Sequence, residues 1–155
     1  MLVRRSNTAV VDFWDEILEI IATCGDREKD FELRIDMLSL CEHFLKTESL
    51  HSTIVFYSEI IIKMILVPSL KWGVGIPSNS IRKASIICMM TLLNNNLIES
   101  VKLYQNFHEI FTPLKNCLDD DWMNELRFAS VLLTRRIMEK IREDIDHEIF
   151  KEIYE

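Results

Sequence analysis

Apolar residues recur along most of this chain at intervals of three and four, the spacing of helices that bury one face. Val10, Phe13, Trp14, Ile17, Leu18 and Ile21 form the first such stripe, and Gly25-Asp26 marks its end. A second helix is predicted from about Asp30, with Leu33, Met37, Leu40 and Phe44 on one face. A long apolar helix follows from near Ser49 through Met64. Pro68 has no amide hydrogen and is expected to kink or end it. The segment KWGVGIPSNS, residues 71–80, reads as a loop, with Ser78 or Asn79 capping the next helix. The rhythm resumes with Val101, Phe107, Phe111, Leu114 and Leu118, bent at Pro113, and again with Leu126, Ala129, Ser130, Leu133 and Ile137. Asp119, Asp120 and Asp121 place negative charge where that last helix begins, against the positive end of its dipole. From Asp144 a further pattern starts (Ile145, Ile149, Phe150, Ile153) and stops at Glu155 without a cap. It leads us to expect a piece of a longer array, or an incomplete final repeat.

The stripes repeat. A displacement of 45 residues carries Pro113 onto Pro68, Leu126 onto Ile81, Arg127 onto Arg82, Ala129 onto Ala84 and Ser130 onto Ser85. The chain has only 3 prolines and 3 glycines, so these coincidences are not chance, and long helices with few interruptions are expected. With the displacement widened to 48, Leu33, Arg34, Met37, Leu40 and Phe44 fall on Ile81, Arg82, Ser85, Cys88 and Leu92. Asp36 then stands where the other repeats carry Ala84 and Ala129, which makes the first repeat atypical or slightly rotated. A period of this length, with two helices per unit, is that of a HEAT repeat. The expected fold is all-α: an α-solenoid of about three to three and a half helix hairpins in one array over residues 1–155. The hairpins fall at about 8–47, 49–94 and 97–142, with the start of a further helix at 144–155.

Apolar residues make up 48% of the chain and charged residues 28%, the balance of a foldable, soluble sequence. The formal charge of −7 argues against nucleic acid, which recruits clustered Lys and Arg. The run Ile54–Val67 contains Glu59 and Lys63 at i, i+4, which suits a helix with one wet edge better than a membrane span. The first residues hold Asp12, Asp15 and Glu16 and do not read as a secretory signal, so the cytoplasm is the expected compartment. Cys24, Cys41, Cys88 and Cys117 are far apart and set among apolar residues, as befits reduced, buried, small hydrophobes.

Motifs for chemistry are missing from the sequence. His43, His51, His108 and His147 have acidic neighbours but no two-ligand spacing, and Gly73-Val74-Gly75 is too short for a phosphate loop. We therefore expect no catalytic residues, no metal and no cofactor. Arg34, Arg82 and Arg127 share one repeat position and read as residues that orient turns, together with Asp121, Pro68 and Pro113. The segment Ile86–Leu93 is apolar all round, as a central helix buried on both sides would be. Yet Met90 aligns with Arg135 and with Glu42, positions that face water elsewhere. Two readings stand: Met90 is core, or it is an adaptable contact in a partner-binding row of Glu42, Met90 and Arg135.

The segment Ile65–Leu93 carries a closer likeness. Val67, Pro68, Leu70, Trp72 and Gly75, followed by Ile81, Arg82, Ala84 and Cys88, resemble the C-terminal part of the HEAT-repeat dynein axonemal assembly factors. That resemblance implies a non-catalytic cytoplasmic scaffold for preassembly of axonemal dynein arms. Its partners would be proteins (dynein chains, chaperones or other assembly factors) with no nucleic acid and no membrane. The alternatives are another HEAT scaffold (transport, phosphatase or microtubule-associated) and an enzyme whose site lies outside this chain.

Overall fold

The computed structural model describes residues 14–71, 73, 75–119 and 124–154, those beyond 143 as backbone only. Helices account for nearly all of the described residues, and no strand is found among them. In α1 (Trp14–Ala22) the buried residues Trp14, Leu18 and Ile21 sit at helical spacing, and a short 3₁₀ turn, Thr23–Gly25, closes it. Helix α2 (Phe31–Lys46) is capped by Asp30, whose carboxylate accepts from the amides of Glu32 at 2.9 Å and Leu33 at 3.3 Å.

The next helical run comprises α3 (His51–Ile61), a wide π turn (Ile62–Leu66) and α4 (Val67–Leu70). Pro68 was expected to kink or end the helix: a π turn distorts it just before the proline, and it stops two residues after, at Leu70. In the π turn Val67 N–H bonds Ile62 five residues back, and the extra residue makes room for a ring that would press on the preceding turn. The stretch Glu48–Leu70 is long and apolar enough to cross a membrane. Here 44% of its most apolar window is buried inside the fold.

Helix α5 (Ile76–Asn94) opens two residues before Ser78 and three before Asn79, the expected caps. Its first turn is set by Gly75, at φ 91°, and by Pro77, whose missing amide costs nothing there. The first helix of the third pair is divided at Asn106 into α6 (Ser100–Gln105) and α7 (Phe107–Leu118). Helix α8 spans Asn124–Tyr154 without a break, so the expected separate helix from Asp144 is its continuation. Asp120 and Asp121 lie outside the described residues.

The helices pair in chain order. α1 packs on α2, α4 on α5, and both α6 and α7 on α8. In the first pair the Arg34 Nε donates to the Cys24 carbonyl at 2.6 Å; in the last, Ser100 Oγ donates to the Lys140 carbonyl at 3.1 Å. Arg34, at the start of α2, meets the end of the segment that follows α1, and Ser100, at the start of α6, meets α8 far from its own start, so these pairs are antiparallel. The second members lie side by side. Cys88 and Asn95 of the α5 segment reach the Leu38 and Leu45 carbonyls of α2, at 3.4 and 3.0 Å. Lys83 and Asn96 on the other flank meet Glu125 and Lys140 of α8, at 2.5 and 3.2 Å. Both sets of contacts advance together, so α2, α5 and α8 are parallel. Between this row and the row of first helices lies one continuous apolar core that includes Leu38, Leu45, Ile65, Leu92, Leu114 and Leu133.

Candidate protein-binding face

The outward side of α2, α5 and α8 is the surface to which the sequence assigned a partner. In α2 the buried residues are Leu38, Cys41 and Leu45; in α8 they include Ser130, Leu133 and Ile137, which lie 45 residues after the buried Ser85, Cys88 and Leu92 of α5, as expected. Helix α5 is buried on two sides, so the α2 residues fall on buried positions at a displacement of 47 (Ser85, Cys88, Leu92) and equally at the expected 48 (Ile86, Met89, Leu93). Leu33 and Leu40, aligned with the buried Ile81 and Cys88, are 42% and 37% exposed, because α2 has a neighbour on fewer sides than α5. Asp36, the residue that disturbed the expected alignment, is exposed to water.

Sequence reasoning missed three exposed apolar residues on adjacent parallel helices: Leu40 of α2, and Ile87 and Leu132 at equivalent positions of α5 and α8, which are 37%, 41% and 40% exposed. The segment Ile86–Leu93 is thus not buried all round. A signal for Ile87 was present: it falls four residues after Lys83 and four before Thr91, on the polar stripe of α5. Its aliphatic character hid that placement.

The three residues of the expected row differ in exposure and pairing. Met90 is half-buried, with one side packed on the core, so it is neither wholly core nor a free contact. Arg135 is exposed and bonds Glu139 at 2.7 Å. Glu42 is half-buried, as Met90 is, and pairs with Lys46 at 2.5 Å; His43 beside it is exposed. At the end of the face nearer the helix starts, Lys83 bonds Glu125, and that bond and charge hold the Glu125 carboxyl below its ordinary range. The charges around the apolar row are largely matched on the molecule itself.

The turn residues follow several chemistries. Arg82 is 1% exposed; its guanidinium donates to Asn79 Oδ1 and to the Cys117 sulfur at 3.8 Å, linking the second and third pairs. Arg34 bonds a backbone carbonyl within the first pair, and Arg127 is half-buried at the start of α8. Pro113 is buried within α7, and its carbonyl accepts from the Cys117 thiol at 3.7 Å.

All four cysteines are free thiols in the interior. Burial pushes the Cys24 thiol up. That of Cys88 is raised by its hydrogen bond with Cys41 and then by burial. Both effects oppose the thiolate that nucleophilic or metal chemistry requires. Among the described residues, no group of three His, Cys, Asp or Glu side chains could hold a metal ion.

No protein-family profile matches the chain, and no solved structure matches it. Comparison with known proteins finds dynein axonemal assembly factor 5 of Mus musculus, 22% identical over 158 residues. The relationship is distant. The match takes in 99% of this chain but 18% of that protein, so the chain spans less than a fifth of its relative's length.

Proposed function

We propose that the chain is a HEAT-type α-solenoid and a non-catalytic cytoplasmic scaffold, taking part in the assembly of axonemal dynein arms by holding a dynein chain, a chaperone or another assembly factor. The observation that carries this reading is the row of Leu40, Ile87 and Leu132. Three apolar side chains on successive parallel helices, each more than a third exposed, give one face of the molecule an apolar stripe. They suit an apolar stripe on a partner, with half-buried Met90 as an adaptable neighbour and Arg135 and His43 at the margin. The repeat reading has its own support: side-chain bonds such as Cys24–Ser69, Lys83–Glu125, Asn106–Glu59 and Lys140–Asn96 link residues 42 to 47 apart. The distant likeness to a dynein assembly factor supplies the process.

The test pairs Ile87→Glu with Leu132→Glu and follows co-precipitation of dynein chains and chaperones from ciliated-cell extract. Both positions are partly wet, so the melting temperature should fall by only a few degrees, consistent with roughly 1 kcal/mol. Dynein or chaperone recovery should drop by about tenfold or more, as for residues central to an interface. Undiminished recovery with a folded double variant rules out this face. Equal loss for Phe56→Glu, an 80% exposed residue on α3 outside the face, shows nonspecific adhesion instead.

A further inference from the structure

A different edge of the molecule holds a cavity of about 260 Å³, where the loop before α2 meets the connector before α5. Arg27, Lys29, Arg34 and Lys71 line it, with Ser78 at the start of α5, and no acidic side chain contributes to the described lining. Against a chain whose net charge is −7, four cations around one small cavity are a strong local reversal.

Two acids of the loop before α2 are engaged by backbone amides. Asp26 accepts from the amide of Glu28 at 3.0 Å, and Asp30 from those of Glu32 and Leu33. Among the described residues Lys29, Arg34 and Lys71 form no ion pair. Arg34 is fixed by a backbone carbonyl, which orients its guanidinium without neutralising it. The start of α5 adds to the positive field, since no side chain caps it and its first turn holds no acid.

Arg27 and Lys71 also border a second, larger cavity of about 620 Å³, which continues past Val67 to Glu109, Thr112, Pro113 and Asn116 of α7. The two cavities share Arg27 and Lys71, with four cations around the smaller one and a single carboxylate, Glu109, among the polar and apolar residues at the far side of the larger.

We propose that these two cavities bind an extended acidic peptide segment of a partner protein. A side-chain anion sits among Arg27, Lys29, Arg34 and Lys71, and the main chain runs on between Lys71 and Asn116. The cationic end has room for one or two acidic side chains, whereas a nucleic acid duplex would meet the repulsion of the acidic remainder. The inference is independent of the Leu40–Ile87–Leu132 face, because it uses different residues, at the starts of α2 and α5 and in the loops before them.

The experiment measures fluorescence anisotropy of a labelled peptide with a run of glutamates flanked by apolar residues, added to the full chain. Its glutamine counterpart, a phosphoserine version, inorganic phosphate and single-stranded DNA serve as comparators. The glutamate or phosphoserine peptide should bind, the glutamine peptide at least about tenfold more weakly, and added salt should weaken binding. Preference between carboxylate and phosphate peptides identifies the anion. Lys71→Glu, at an exposed site, should weaken binding about tenfold with the melting curve unchanged. Lys83→Glu, on the other face, should leave it as it was. Equal binding of the glutamine peptide, equal loss in both variants, or tighter capture of phosphate alone or DNA overturns the proposal.

Discussion

Gly25 ends the turn that follows α1, and a Cβ placed there would stand 2.8 Å from the Cβ of Pro68. The contact joins two helix pairs through two residues that a sequence reading treats as separate punctuation marks. Neither partner is a flexible side-chain tip, so the strain of a larger residue has nowhere to dissipate. Gly25→Ala should destabilise the protein by about 1–3 kcal/mol, measured by urea denaturation, although alanine is the better helix former. An unchanged or raised midpoint would show that the two pairs slide apart without cost. Arg82 makes a similar point. Its place before the buried face of α5 was legible as a repeat position. That it is fully buried and reaches Cys117 in the next pair depended on a helix more than thirty residues away.

At the scale of elements, the departures from expectation have local causes that only packing reveals. Val101 was expected in the buried rhythm of the third pair but is 56% exposed, while Leu103 and Ile110 are buried. The phase changes because the helix is interrupted at Asn106. This buried amide donates to the Lys102 carbonyl at 2.7 Å and to Glu59 of α3 at 3.2 Å. Asparagine in an otherwise apolar stripe was the available signal, since such a residue competes with the helix for backbone partners. The Glu59 carboxyl is held below its ordinary range, first by its hydrogen bond with Lys63 and then by Asn106. A carboxyl with a depressed folded pKa stabilises above its unfolded value, about 4.3, and that contribution disappears as pH falls through the lower folded value. Glu59→Gln should therefore lower the melting temperature at neutral pH, with the gap to wild type closing below about pH 4. A gap that stays constant down to about pH 3 would show that the charge on Glu59 is irrelevant to the α3–α6 contact.

For the whole molecule, each helix pair buries its apolar face chiefly against the next. Ile86, Met89 and Leu93 of α5 are buried, and α5 packs on α8. Removing residues 97–155 exposes that side of α5 along with the face of α4 that meets α7. The truncated chain should melt at a lower temperature and bind a hydrophobic dye, because the apolar side of α5 that α8 covers would then face water. A melting temperature equal to that of the full chain would mean that the first two pairs form a closed unit, contrary to a stacked arrangement. The same logic explains why the face on α2, α5 and α8 was harder to read than the fold. Periodicity reports which side of one helix is apolar, whereas exposure depends on which neighbour covers it.

The sequence by itself determined the helical class, the pairing of helices and the 45-residue step between the second and third pairs. These depend on spacing along one chain: apolar residues at three and four, scarce glycine and proline, and a repeated Pro and Leu-Arg signature. Tertiary structure alone decided the exposure of Leu33 on α2, the π turn before Pro68 and the half-burial of Met90. It also decided the exposure of Leu40, Ile87 and Leu132 and the gathering of four cations around one cavity. Each of these depends on distances between segments far apart in the chain. A single residue of helix rotation, about 100°, is enough to exchange a buried position for an exposed one.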